Sequence, residues 1–367
     1  MSQTVMRTPR SIDLEITSRC NASCKYCYYL NNPGVDYRDL PKERWLDFFA
    51  ELQRCQVMEV TLLGGEPLLR EDFLELVDGI VANQMRFSLL TNGSLMTSAI
   101  ANHLKSTGRC NMVQVSLDGS SPSVHESLRG PGSFAPALAA IRQLHEVGLP
   151  VTVRVTIHPG NVDDLTTIAS LLLEELELSS FSTNAASSLG DAGKYTPDVL
   201  LRPEQRLQAM HTLAELDQAY PGRIHANAGP LADWRNFQQM EAACNSGEAI
   251  PGRGRLVGCG CVFRQIAVRS DGAITPCVML PQMVLGHIGK DNLATIWQSS
   301  PDLEQMRKRD HVELKSFEEC CDCVWLQNCT GNCPGTAYTR TGEINHPCPD
   351  ACMKRFISEL DEMGLSI

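Results

Sequence analysis

Ile12-Asp-Leu-Glu-Ile-Thr-Ser-Arg-Cys20-Asn-Ala-Ser-Cys24-Lys-Tyr-Cys27 passes from an apolar, β-branched stretch straight into three thiols at spacings of four and three. Its first part alternates apolar with polar residues, as a strand with one buried face does. Three thiolates hold three irons of a [4Fe–4S] cube and leave the fourth without a protein ligand, whereas a cluster that only carries electrons takes four cysteines. An open iron binds a small molecule and passes it an electron. The stretch therefore predicts redox chemistry on a bound cofactor, at the end of a first strand.

Working outward, apolar runs at 12–17, 58–63, 86–91, 112–117, 151–157 and 179–183 read as strands. Helical patterns at 41–54, 71–83, 97–106, 134–147, 163–175 and 203–219 alternate with them. Strict alternation implies a parallel sheet with right-handed crossovers. Six units are too few to close an eight-stranded barrel. The expected fold class is α/β, a partial (β/α)6 TIM-type barrel with its functional groups at the C-terminal strand ends. After residue 220 the pattern gives way to Gly, Pro and Cys, with a short hairpin expected over 264–276 and a tail helix over 352–363.

The chain has 367 residues and a formal net charge of -11, a balance that argues against nucleic acid as a partner. No apolar run is long enough to span a bilayer. Residues 1–10 lack the apolar core of a signal peptide, so the expected location is the cytoplasm. Sixteen cysteines without an export signal favour metal binding over disulfides. Cys55 and Cys110 fall in helix and strand patterns and read as buried apolar residues.

Gly64-Gly65-Glu66-Pro67 follows the second strand. Paired glycines admit close approach of backbone, and Glu66 accepts hydrogen bonds from an ammonium group. Together with CxxxCxxC, this resembles the radical S-adenosylmethionine (SAM) enzymes. The resemblance implies that Cys20, Cys24 and Cys27 bind the cluster, that the open iron chelates the methionine end of SAM, and that the Gly64–Pro67 turn grips its amino group. It implies cleavage of the sulfonium to a 5′-deoxyadenosyl radical that abstracts a substrate hydrogen. Tyr26 matches the family position near the adenine. Ser116-Leu117-Asp118-Gly119 matches a segment near the ribose and carboxylate, and Asn92 and Arg154 line the same pocket.

Ten further thiols lie from Cys259 onward, and Cys320-x2-Cys323-x5-Cys329-x3-Cys333 is hard to obtain by chance. Read from the residues, they suit two structural zinc sites or two more Fe–S clusters. The pattern resembles the SPASM extension of radical SAM enzymes, which holds two auxiliary [4Fe–4S] clusters. That resemblance gives Cys259, Cys277 and Cys333 to the first, with Cys261, Cys244 or an open position as the fourth ligand. It gives Cys320, Cys323, Cys329 and Cys352 to the second, with Cys348 as runner-up to Cys352, and leaves Cys321 unused.

The expected division is a barrel at 10–220, a linker at 221–257, the auxiliary-cluster domain at 258–352 and a C-terminal helix at 353–367. SPASM enzymes mostly modify peptides or proteins, so a ribosomally made peptide is the expected substrate; maturation of a small molecule or cofactor is the alternative. A formylglycine-forming sulfatase maturase carries an acidic residue just after the cysteine matching Cys277, and here Val278 and Met279 follow. Many peptide maturases carry an N-terminal clasping domain, and too few residues precede the first strand to form one. A leader would then bind the barrel, the stretch at 187–202 or another protein. The loop at 190–195 reads as a surface connection. A flavodoxin or ferredoxin is the expected electron donor. No residue stands out as the catalytic acid or base; His125, His158 and His287 read as surface or capping residues.

Overall fold

The computed structural model describes residues 5–257 and 260–367. The barrel begins β1 (Ser11–Thr17), α1 (Lys42–Arg54), β2 (Glu59–Gly64), α2 (Phe73–Ala82), β3 (Arg86–Thr91), α3 (Ser98–Ser106) and β4 (Cys110–Ser116). It continues α4 (Pro122–Arg129), α5 (Phe134–Glu146), β5 (Val151–Ile157), α6 (Leu165–Ser170) and β6 (Phe181–Ala185). A short α7 (Thr196–Val199) and the longer α8 (Pro203–Ala219) follow. Each of β1 to β6 pairs in parallel with the next, as the alternation predicts.

Two features extend the sheet beyond those six strands. A seventh parallel strand, β7 (Ile224–Ala226), pairs with β6 and leads into α9 (Pro230–Ser246). Both lie in the stretch read as linker. Three residues are too few to show a period, and α9 has no clean apolar stripe. On the other side, β8 (Gln265–Val268) pairs in parallel with β1, from Ser11↔Gln265 to Leu14↔Val268. β8 and β9 (Ala273–Thr275) form the expected hairpin, which turns at Gly272 with φ +84°. β10 (Gly286–His287) closes the order β10-β9-β8-β1-β2-β3-β4-β5-β6-β7. The hairpin assigned to the C-terminal domain is thus part of the barrel sheet.

The two faces of that sheet differ chemically. On β1, Ile12, Leu14 and Ile16 are fully buried in the main apolar core. They share that core with Trp45, Phe48, Phe49 and Leu52 of α1, an i, i+3, i+4, i+7 stripe worth about 2 kcal/mol per buried side chain. The alternate residues face inward: Asp13, Glu15 and Thr17 on β1, Gln114 and Ser116 on β4, Arg154 on β5, Ser182 and Asn184 on β6. A closed barrel fills its lumen with branched apolar side chains; this open one lines it with polar groups, as a binding site requires. A second small core joins Leu207 and Met210 of α8, Phe237 and Met240 of α9, and Met353, Phe356 and Leu360 of the helix Met353–Glu362.

Candidate active site

The loop carrying Cys20, Cys24 and Cys27 leaves β1 and is latched from below by the next two strand ends. Gly65 N–H donates to Thr17 O (2.8 Å) and Glu66 N–H to Arg19 O (2.8 Å). A Cβ on Gly64 would sit 2.4 Å from Thr17 O, and one on Gly65 would sit 2.1 Å from Arg19 O. The glycine pair is therefore needed for contact with the cysteine loop itself, where the sequence suggested contact with a ligand. Asn92 Nδ2 reaches Asn21 Oδ1 (2.9 Å) and Asn21 Nδ2 reaches Ser94 Oγ (2.8 Å), tying the loop to the end of β3.

Glu66 is fully buried. One carboxylate oxygen accepts from Leu68 N–H (3.1 Å) and Thr91 Oγ1 (2.7 Å), the other from Asn92 N–H alone (2.7 Å). Burial raises its pKa against the pull of those bonds. The second oxygen keeps acceptor capacity for an ammonium donor. Pro67 opens the short turn that Glu66 caps.

Asp118 plays a different part from the one expected. It is fully buried and both its oxygens are used internally: one accepts from Thr156 N–H (2.7 Å), the other from Tyr26 Oη and Arg129 Nε. Burial pushes its carboxyl up, but Arg129, His158 and these bonds more than offset that and hold it below its ordinary value. Tyr26, two residues from Cys24, stacks on His158 at 5.8 Å. Asp118 and Arg129 thus fix Tyr26 and the wall behind the cysteines. Arg129 escaped the sequence reading because α4 was not foreseen, and His158 and His125, read there as surface or capping residues, are in fact fully buried beside Asp118, since a buried histidine carries no pattern.

The loop at 190–195 belongs to the site as well. A Cβ on Gly190 (φ +58°) would lie 2.6–2.7 Å from the carbonyl oxygens of Cys27, Tyr28 and Leu30. Ala192 N–H donates to Cys27 O (3.4 Å), and Asn31 Nδ2 to Asp191 Oδ1 (2.8 Å). The surface connection expected from sequence is a clamp on the cysteine loop.

On the inner wall, Ser116 and Arg154 are register partners of β4 and β5. Arg154 touches only the neutral Gln114 Oε1 (3.3 Å), makes no ion pair among the described residues, and is held below its ordinary pKa by burial. Opposite in charge, Glu15 is 1 % exposed with neither oxygen hydrogen-bonded. Burial drives its pKa well up, and burial pushes neighbouring Asp13 up to about 6. Glu15 was missed because one acidic residue in an alternating strand reads as its solvent face.

In the C-terminal region, Cys320, Cys323, Cys329 and Cys352 lie near enough to act on one another's ionisation. Burial pushes Cys320 up to about 12. Trp325, between two of them, packs edge-on against Phe237 of α9 at 5.9 Å. Cys348 neighbours Cys333 instead. Cys244 donates to Val324 O (3.6 Å) and accepts from Asn328 Nδ2 (3.5 Å). Cys261 heads the turn Cys261–Arg264 and packs on the main core. Cys321 is exposed and donates to Glu318 O (3.1 Å). Cys259 lies outside the described residues. A cavity of about 730 Å³ separates Cys333, Cys348 and Cys352 from the ends of β6 and β7.

Residues 14–172 match the Radical SAM superfamily, and residues 259–324 match the SPASM iron–sulfur cluster-binding domain. The chain belongs to the radical SAM superfamily and carries a SPASM domain. This radical SAM protein is 28% identical over 343 residues to the AdoMet-dependent heme synthase of Methanosarcina barkeri, covering 91% of this chain and 94% of the relative. It is 28% identical over 349 residues to the mycofactocin maturase MftC of Mycolicibacterium smegmatis, covering 93% and 82%. Its fold matches that of Streptococcus suis SuiB bound to precursor peptide SuiA, with TM-score 0.71, 15% identity and coverage of 95% and 77%.

Its cofactors are SAM and [4Fe–4S] clusters, and the donor set fits them. Among the described residues no three His, Cys, Asp or Glu side chains are placed to share a single metal ion. Cys20, Cys24 and Cys27 nevertheless share one loop, each half-buried, and feel one another's charge. Glu66 and the unpaired Arg154 offer opposite charges to the two ends of an amino-acid moiety. No helix among the described residues is long and apolar enough to cross a membrane.

Proposed function

We propose that this protein abstracts a hydrogen atom from a peptide or protein substrate and so matures a ribosomally made peptide by crosslinking, epimerisation or oxidation. When bound and reduced by one electron, SAM and the cluster at Cys20, Cys24 and Cys27 supply the 5′-deoxyadenosyl radical. The chain's own part is positioning. Glu66 accepts from the SAM amino group, while Ser116 and Arg154 receive its carboxylate. Asn92 fixes the loop, Gly64, Gly65 and Pro67 shape the turn beneath it, and Tyr26, braced by Asp118, forms the wall beside the adenosine. Cys320, Cys323, Cys329 and Cys352 hold one auxiliary cluster, and Cys259, Cys277 and Cys333 another. Residues 10–220 form the body of the catalytic unit, extended at one edge by β7 within 221–257 and at the other by β8 to β10 within 258–352; the rest of 258–352 forms the auxiliary unit, closed by the helix in 353–367. A cytoplasmic flavodoxin or ferredoxin is the natural electron source.

The observation that carries this reading is the three-thiol loop fastened at Thr17 and Arg19 beside Glu66. Similarity to the maturase MftC over nine-tenths of the chain supports a peptide, and the equally similar heme synthase keeps a tetrapyrrole as the second reading. Anaerobic reconstitution with iron and sulfide, then SAM and dithionite, should yield 5′-deoxyadenosine. Deuterium should pass into it from a labelled peptide encoded beside this gene. Transfer from a labelled tetrapyrrole instead would decide for the second reading, and bound zinc without sulfide would end both.

A further inference from the structure

Cys348 has no part in the arrangement above, yet among the described residues it is the most buried thiol of the C-terminal region, at 2 % exposure. Its backbone N–H donates to Gly331 O (2.9 Å), two residues before Cys333. The pairing is enforced from outside. Arg309, 1 % exposed, donates to the carbonyls of Ile344, His346 (3.0 Å) and Asn332 (3.4 Å), clamping the segment before Cys348 to the turn before Cys333. Asn332, at φ +60°, returns a bond to Ala351 O (3.0 Å) just past Cys348. On its other side the Cys333 turn meets the Cys277 segment. A Cβ on Gly335 would stand 3.7 Å from Cys333 Sγ and 3.2 Å from Met279 Cβ, and Met279 N–H donates to Cys277 Sγ (3.4 Å). Cys333, Cys348 and Cys352 all line one cavity, so the pairing rests on these bonds.

Cys352, four residues on, caps the helix Met353–Glu362, whose apolar face packs with Trp325 and Cys329 and whose Lys354 reaches Asp322, on the side of Cys320, Cys323 and Cys329. The segment from Cys348 to Cys352 thus spans the two thiol groups, one cysteine toward each. We infer that Cys348 is the fourth protein ligand of the auxiliary cluster held with Cys277 and Cys333, so that this cluster has no open iron. The inference rests on the auxiliary-cluster reading and makes that cluster an electron relay, with substrate excluded from its irons.

The test uses the full chain with Cys20, Cys24 and Cys27 all changed to Ala, reconstituted anaerobically so that only auxiliary clusters load. About eight irons per chain are expected, four per cube. Cys348→Ala should lose roughly one iron and give the EPR signal of an oxidised three-iron cluster. Cys348→Ser, an oxygen donor of the same shape, should recover the iron with an altered spectrum, and Cys321→Ala and Cys244→Ala should change neither. Unchanged iron and spectrum in Cys348→Ala, with losses in Cys261→Ala, would overturn the assignment in favour of Cys261. No loss of iron in Cys333→Ala would instead defeat the auxiliary-cluster reading itself. Should Cys348→Ala fail to fold by circular dichroism, cyanide is added to the reduced protein with Cys348 intact. The auxiliary signals should not move, and a shift would reveal an open iron and sink the proposal.

Discussion

The thiols of the N-terminal loop hang from a strand whose apolar face is wholly buried and which has strands on both sides. Those of the C-terminal region, Cys277 just past β9 excepted, hang mostly from short turns: Leu326–Asn328, Pro349–Ala351 and the N-terminal end of Pro334–Thr341. The first site is shaped before any iron arrives, by contacts from β2, β3 and the Gly190 loop. In the second, one buried arginine, one asparagine and a few backbone bonds do that task, and the bound clusters supply the rest of the cohesion. Preorganisation is concentrated where the chemistry must be aimed, and metal-dependent order where electrons only pass.

The sharpest way to probe that contrast is to remove one thiol from each region. Cys24→Ala should abolish 5′-deoxyadenosine formation, a loss of at least about 1000-fold, while leaving the melting temperature within a few degrees. Product analysis by chromatography beside a thermal melt reads both. Cys323→Ala should do the reverse. At least about one iron is lost, helix Met353–Glu362 loses hydrogen-exchange protection, and dithionite-driven cleavage of SAM falls less than about tenfold. Equal losses of stability in the two variants would break the comparison.

A finer test strikes the preorganised loop without touching a ligand. Gly65→Ala drives a methyl into Arg19 O and should cost about 2–4 kcal/mol. Urea unfolding would measure this, with SAM binding weakened alongside; a neutral effect would show that the loop yields. The smallest effect belongs to Glu15. Its pKa is raised in the fold, so it keeps a proton that the unfolded chain releases above about pH 4.3. The penalty is absent below that pH and grows as pH rises. Glu15→Gln should therefore raise the melting temperature of the cofactor-free protein by a few degrees at pH 8 and leave it unchanged at pH 4. A gain of the same size at both values would show that ionisation is not the cause.

Legibility followed the same divide. Six strands, the hairpin and the tail helix were readable because each carries a period or a turn signal, and CxxxCxxC with GGEP states its chemistry in local spacing. The parallel partnership of β1 with β8 was not readable, because nothing in a four-residue strand names a partner across the whole barrel. Asp118 was singled out by the segment it stands in, and only Arg129, on an unforeseen helix, shows that its charge is spent internally. Cys348 and Cys352 look interchangeable by spacing; which way each faces depends on Arg309, whose three carbonyl partners lie 23 to 37 residues away.

The β1–β8 ladder also sets the schedule on which the chain is made. At about 5–20 residues per second, β1 leaves the ribosome long before β8 exists, and its free edge is bare for on the order of ten seconds or more. A bare edge invites pairing with other chains, and inward-pointing charge is one of the guards proteins use against it. Asp13 and Glu15 stand on that strand, ionised while the nascent chain is wet. The acidity that burdens the finished lumen protects the strand while it waits for its last neighbour.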